Sequence, residues 1–210
     1  LNKSDLEEGY RIQNINEQAV LDLGFADSIN LEDLVGAATG TELHYSVSDV
    51  LEALLLTSPM DLSPDSYGYF ETVWSEEPEC FIAQNCPTVE YDSEVENLFP
   101  LGIVMENKIH GKYRWVNSSY GDAVISRRYT LESVSNQSWL NIEQDYGLSI
   151  QLPMSFGTMF IDIEWVVAKL GELSVPEDYA LNLAIDAMRT GRQNLEIYMD
   201  ELGTYTPVAN

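Results

Sequence analysis

At 210 residues, with 45% hydrophobic and 10% aromatic side chains, the chain can bury a substantial core and is not a disordered acidic tail. Its formal charge of −25, from 35 acids against 10 lysines and arginines, excludes non-specific binding to nucleic acid or to an anionic membrane. No apolar run reaches the roughly 20 residues that a transmembrane helix needs.

The first forty residues are polar and weakly periodic, with short helical patterns over 16–23 and 31–38. They are expected to form an N-terminal extension (1–40) to a single domain (41–210). Residues 41–46 alternate as a strand, and Ser48 is placed to cap a short helix over 49–56. A loop with Pro59 and Pro64 follows. Residues 67–75 return to a strand, with Phe70, Thr72 and Trp74 on one face and Tyr69, Glu71 and Val73 on the other.

Cys80 and Cys86 are the only cysteines. Two thiols so close, with none elsewhere, suit a small disulfide loop in an oxidising compartment, the alternative being two free thiols. With no leader visible at Leu1, the disulfide reading makes this an exported chain already trimmed. Two free thiols would suit a cytosolic one.

From Leu101 the pattern is mostly β. Residues 103–109 are apolar and of unsettled type. Residues 112–117 alternate, with Tyr113 and Trp115 against Lys112 and Arg114, and 118–121 is turn-like. Residues 123–132 alternate again. Two short strands, 139–143 and 148–152, are expected on either side of a turn at Tyr146-Gly147. Residues 157–167 alternate most clearly, with Met159, Ile161, Ile163, Trp165 and Val167 on one side. Strands at this spacing read as an antiparallel meander.

The last long stretch, 174–202, reads as one amphipathic helix. Ser174, Pro176 and Glu177 have the form of a capped start. Leu181, Ala184, Ile185, Met188, Leu195, Met199 and Leu202 form one apolar stripe. Gly191, on or near that stripe, implies close approach to another backbone. Gly203 stops the helix.

Strand, short helix, several antiparallel strands and a long C-terminal helix make an α+β chain with a curved antiparallel sheet packed on that helix. This order over 41–202 resembles the helix-grip arrangement of the START-like lipid-binding superfamily. The resemblance implies a sheet wrapped around a terminal helix, with a cavity for an apolar or amphiphilic molecule between them.

Within such a cavity Arg127 stands out. The strand face Ala123, Ile125, Arg127, Tyr129 and Leu131 is otherwise apolar or aromatic, and by strict alternation it points inward. A buried guanidinium needs an acceptor: either a ligand's carboxylate or phosphate, or an internal Asp or Glu. A bulge would exchange the faces and turn Arg128 inward instead. The candidate ligand-binding residues are therefore Arg127, Tyr129, Trp115, Tyr113, Trp165 and Met188, with Trp74 and Trp139 as further cavity aromatics.

Catalytic signatures are lacking. There is no G-x-S-x-G elbow, and His44, Tyr45, Ser46 and Asp49 hold triad letters only by adjacency. No metal-ligand spacing, phosphate-binding glycine loop or dinucleotide fingerprint is present, so neither metal nor cofactor is expected. The expected function is non-enzymatic binding or carriage of an apolar or amphiphilic small molecule. The alternative is an acidic inhibitor or immunity-type module that covers a basic protein.

Overall fold

The computed structural model describes residues 7–16, 18, 34–99, 102–169 and 177–208. Eight strands form one antiparallel sheet in the order β1-β2-β8-β7-β6-β5-β4-β3. They are β1 (Tyr10–Ile12), β2 (Val35–Leu43), β3 (Tyr67–Trp74), β4 (Thr88–Phe99), β5 (Ile103–Ser118), β6 (Gly121–Ser135), β7 (Asn141–Met154) and β8 (Gly157–Lys169). The helices are α1 (Val47–Leu56), α2 (Pro59–Leu62), α3 (Pro78–Ile82) and α4 (Glu177–Leu202). The sheet is curled and open, and the C-terminal helix packs on its inner face.

Several sequence expectations change here. Residues 34–38, read as the end of a helix, belong to the extended segment leading into β2 and to β2 itself. β2 pairs with β8 from Val35 to Leu43, so a boundary at residue 40 falls inside a strand. The 16–23 pattern and the start at Ser174 lie almost entirely outside the described residues. Ser46, not Ser48, caps α1: its hydroxyl accepts from the Asp49 N–H at 3.2 Å. The turn expected at Tyr146-Gly147 is absent, because both residues are paired within one continuous strand, β7. Gly147 is there for space. A Cβ on it would meet Arg128 Nε at 2.7 Å.

Paired residues of neighbouring strands share a face, so the register sorts the sheet into two sides. The inner side carries Ala37, Thr39 and Leu43 of β2, Phe160, Asp162 and Glu164 of β8, and Ser149 and Gln151 of β7. It continues through Val124, Ser126 and Arg128 of β6, Tyr113 and Trp115 of β5, and Val89 and Tyr91 of β4. Helix α4 lays Ile185 and Met188 on Ala37. It lays Leu195 and Met199, both 0% exposed, on Leu43, Tyr45 and Phe160. Burying each such side chain contributes about 1.5–3 kcal/mol. Gly191 makes no close approach: it is exposed, with nothing within 4 Å of where a Cβ would lie.

The other end of the inner face is covered by α1 and α3. Leu51, Leu55 and Phe81 pack on Val89 and Val124, with Trp115 and Tyr113 at the margin. The disulfide Cys80–Cys86 closes the loop that follows α3. Phe81 is thereby held against the sheet, and its carbonyl accepts from Trp115 Nε1 at 2.8 Å.

The outer side is also apolar, and that decides how the sequence reads. Tyr146, Trp165 and Val167 are buried there with Leu34, and Ile12, Ile15, Leu148 and Ile163 pack against them. Trp165 Nε1 donates to the Gln13 carbonyl at 3.1 Å. Ile12, Ile15 and Leu34 thus lie on the convex side of the sheet.

Candidate functional site

Between the α1–α3 cover and the long helix, the inner face presents one row of side chains running across the strands: Glu164, Gly147, Arg128, Gly111 and Tyr91. The two glycines let their neighbours lie flat. Arg128 leans over Gly147, and the Tyr91 ring crosses Gly111, where a Cβ would meet ring atom Cζ at 2.1 Å. Any larger residue at either position would force these side chains upright.

Arg128 lies between two carboxylates. Its Nη1 donates to Asp145 Oδ2, and its Nη2 to Glu164 Oε1 at 3.2 Å. Asp145 holds the guanidinium more firmly charged than usual, with Glu164 adding to the effect. One cation cannot neutralise two anions, so a proton stays with the pair. Burial, reinforced by the charge of Asp145, pushes the Glu164 carboxyl up to about 8. Burial also raises the phenols of Tyr91 and Tyr113, keeping both neutral.

A second ion pair links sheet to helix. Arg192 of α4 grips Asp162 of β8 with two hydrogen bonds, Nε to Oδ2 at 2.6 Å and Nη2 to Oδ1 at 3.0 Å. Its guanidinium also lies 3.8 Å from the centre of the Phe160 ring, a cation–π contact. Ser126 and Ser149 share a hydrogen bond at 2.6 Å. The row is not fully packed over: the Arg128 side chain keeps 36% of its surface accessible.

The structure divides the sequence-derived candidates. Tyr113 and Trp115 are on the inner face, and Met188 is on the buried side of α4. Arg127, Tyr129 and Trp165 are on the outer face. Arg127 is opposite Lys112, and Tyr129 stacks beside His110 at 5.3 Å. Trp165 is roofed by Ile12, Ile15 and Leu34 rather than exposed to a cavity. Strand β6 keeps its register through these positions, so no bulge exchanges Arg127 for Arg128. Its apolar side simply faces outward. Trp74 is on the inner face, against Tyr91 at 5.2 Å, whereas Trp139 is 45% exposed.

The triad letters near His44 are used for structure. His44 pairs with Glu196 at 2.8 Å, Tyr45 donates to Asp200, and Ser46 caps α1. His110 pairs with Asp92 on the outer face. Apart from Arg128, which the sequence offers as the alternative inward arginine, the polar groups of the inner face are not singled out by the sequence. Their only signal is the run of polar residues Ser126, Arg128 and Thr130 opposite an apolar side, which reads equally well as a solvent face.

No protein-family model matches the sequence, and no curated protein matches it. Solved structures do share the architecture. A fragment of a STAR-related lipid transfer protein from Xanthomonas axonopodis is 11% identical with a TM-score of 0.50, the match covering 83% of this chain and 97% of that one. A START superfamily protein from Mycobacterium smegmatis is 8% identical with a TM-score of 0.50, the match covering 80% and 98%. With the eight-stranded curled sheet, the covering helices at one end and the long C-terminal helix, this chain has the START-like helix-grip fold.

Proposed function

We propose that the chain binds an apolar or amphiphilic small molecule between the inner face of the sheet and α4, without catalysing its conversion. One observation carries this reading. The inner face around Arg128, Ser126 and Tyr91 remains half-buried, although α4 packs on Ala37 at the end of the same row and α1 and α3 pack on Val89 and Val124 beside it. Aromatic walls with a few fixed polar groups are the usual furniture of a small-molecule site. That lipid transfer is ascribed to one of the solved structures of this fold adds to the reading.

The test is mass spectrometry of the purified protein under native conditions, followed by organic extraction. A bound lipid-like molecule is expected. Ser126→Trp, which fills the space beside Arg128, should abolish that binding while the circular-dichroism spectrum stays unchanged. An empty wild-type protein that takes up no added amphiphile would sink the proposal. An exported, oxidising location suits the Cys80–Cys86 bond.

A basic protein partner is the second reading, favoured by the outer face of β3–β5. There Glu71 stands directly opposite Glu94, and Glu96 opposite Glu106. Opposed like charges destabilise a sheet, so an acidic surface built this way calls for a partner that neutralises it. Salt-sensitive binding to polylysine, lost in Glu94→Lys/Glu96→Lys, is expected on this reading. Identical binding by the variant would refute it.

A further inference from the structure

The furnishing of the inner face also selects among amphiphiles, a step that rests on the binding site proposed above. Recognition of an anionic headgroup needs a cation that is not already engaged. Both arginines placed on this face are engaged. Arg192 holds Asp162 with two hydrogen bonds, and Arg128 spans Asp145 and Glu164. Three carboxyls therefore meet these two guanidiniums, which leave an entering carboxylate or phosphate no surplus of positive charge of their own. The formal charge of −25 on the whole chain opposes its approach as well. Freeing either arginine for a ligand would leave a buried carboxylate unpaired, which is strongly unfavourable.

Two neutral groups on the same face point the other way. Gln151 is 0% exposed, and neither Nε2 nor Oε1 of its amide has a hydrogen-bond partner among the described residues. Thr39 is 1% exposed, and its hydroxyl is likewise without a partner. The register places Gln151 between Phe160 and Val124, and Thr39 beside Asp162. Buried polar groups are ordinarily satisfied, and each one left unmade is costly. An amide and a hydroxyl both donate and accept, which suits a hydroxyl or carbonyl oxygen and gives an anion no charge compensation.

We infer that the site takes an uncharged, oxygen-bearing amphiphile, of the alcohol, ketone or amide class, and discriminates against carboxylates and phosphates of the same chain length. Quenching of tryptophan fluorescence by 1-dodecanol, dodecanamide, dodecanoate and dodecyl phosphate at neutral pH tests this on the wild-type protein. The alcohol or the amide is expected to bind at least about tenfold more tightly than either anion, a gap of about 1.4 kcal/mol. Dodecanoate or dodecyl phosphate binding as tightly as the alcohol would overturn the headgroup inference while leaving the binding site standing. Binding of none of the four would overturn both. In Asp162→Asn, which leaves Arg192 without its carboxylate, dodecanoate affinity should rise toward that of the alcohol. An unchanged preference there would count against the charge argument.

Discussion

Glu164 is a carboxyl whose protonation is set by its place in a row of side chains. In the unfolded chain it ionises near 4.5, and in the folded protein near 8. The folded state therefore binds this proton more tightly. The stability from this group is present in full below the lower value and is lost as the pH rises through the upper one. Urea midpoints measured from about pH 5 to pH 8 should fall for the wild type and fall less for Glu164→Gln. Parallel curves for the two proteins would show that the carboxyl is not held protonated. The row itself was only partly legible. Alternation correctly sets Arg127 and Arg128 on opposite faces, but it cannot say which face is inside. The apolar side of β6 reads as the interior, but the convex side here is apolar as well, being roofed by Ile12, Ile15 and Leu34.

At the scale of elements, the short helix α3 depends most on a covalent tie. It has only five residues, and its N-cap, Glu77, makes no side-chain cap hydrogen bond. The Cys80–Cys86 bond fixes the chain just beyond it, with Phe81 fully buried against Trp115 and Tyr113. Closing so small a loop contributes about 2 kcal/mol by restricting the unfolded chain. Reduction should lower stability by about that amount and red-shift tryptophan emission as the Phe81–Trp115 contact loosens. A reduced protein of equal stability and unchanged spectrum would show that the bond is dispensable. The cysteine spacing makes the disulfide legible but not the helix it ties down, and the clean alternation of β8 makes that strand legible. Strand β7 reads as two strands because Gly147 looks like a turn residue. Its purpose, room for the Arg128 side chain lying across the neighbouring strand, is a tertiary fact that no local pattern carries.

For the molecule as a whole, element order was the legible part: strand, short helix, meander, long helix. The ends of the sheet were less so. β1 is only three residues long, and β2 is a run of small residues, Val-Gly-Ala-Ala-Thr-Gly, with weak strand propensity. β2 forms because β8 supplies a partner along its full length and α4 settles on its inner side. That pairing has a consequence for how the protein is made. Val35–Leu43 is translated first, and its partner Gly157–Lys169 leaves the ribosome more than a hundred residues later. The nascent chain can zip β3 to β7 in sequence, each strand to the one just before it, but the first long strand, which β1 pairs over three residues only, must wait for its other neighbour until the last is synthesised. Closure across so long a stretch is entropically slow. The small, weakly sticky side chains of β2 suit an edge that stays open until β8 emerges.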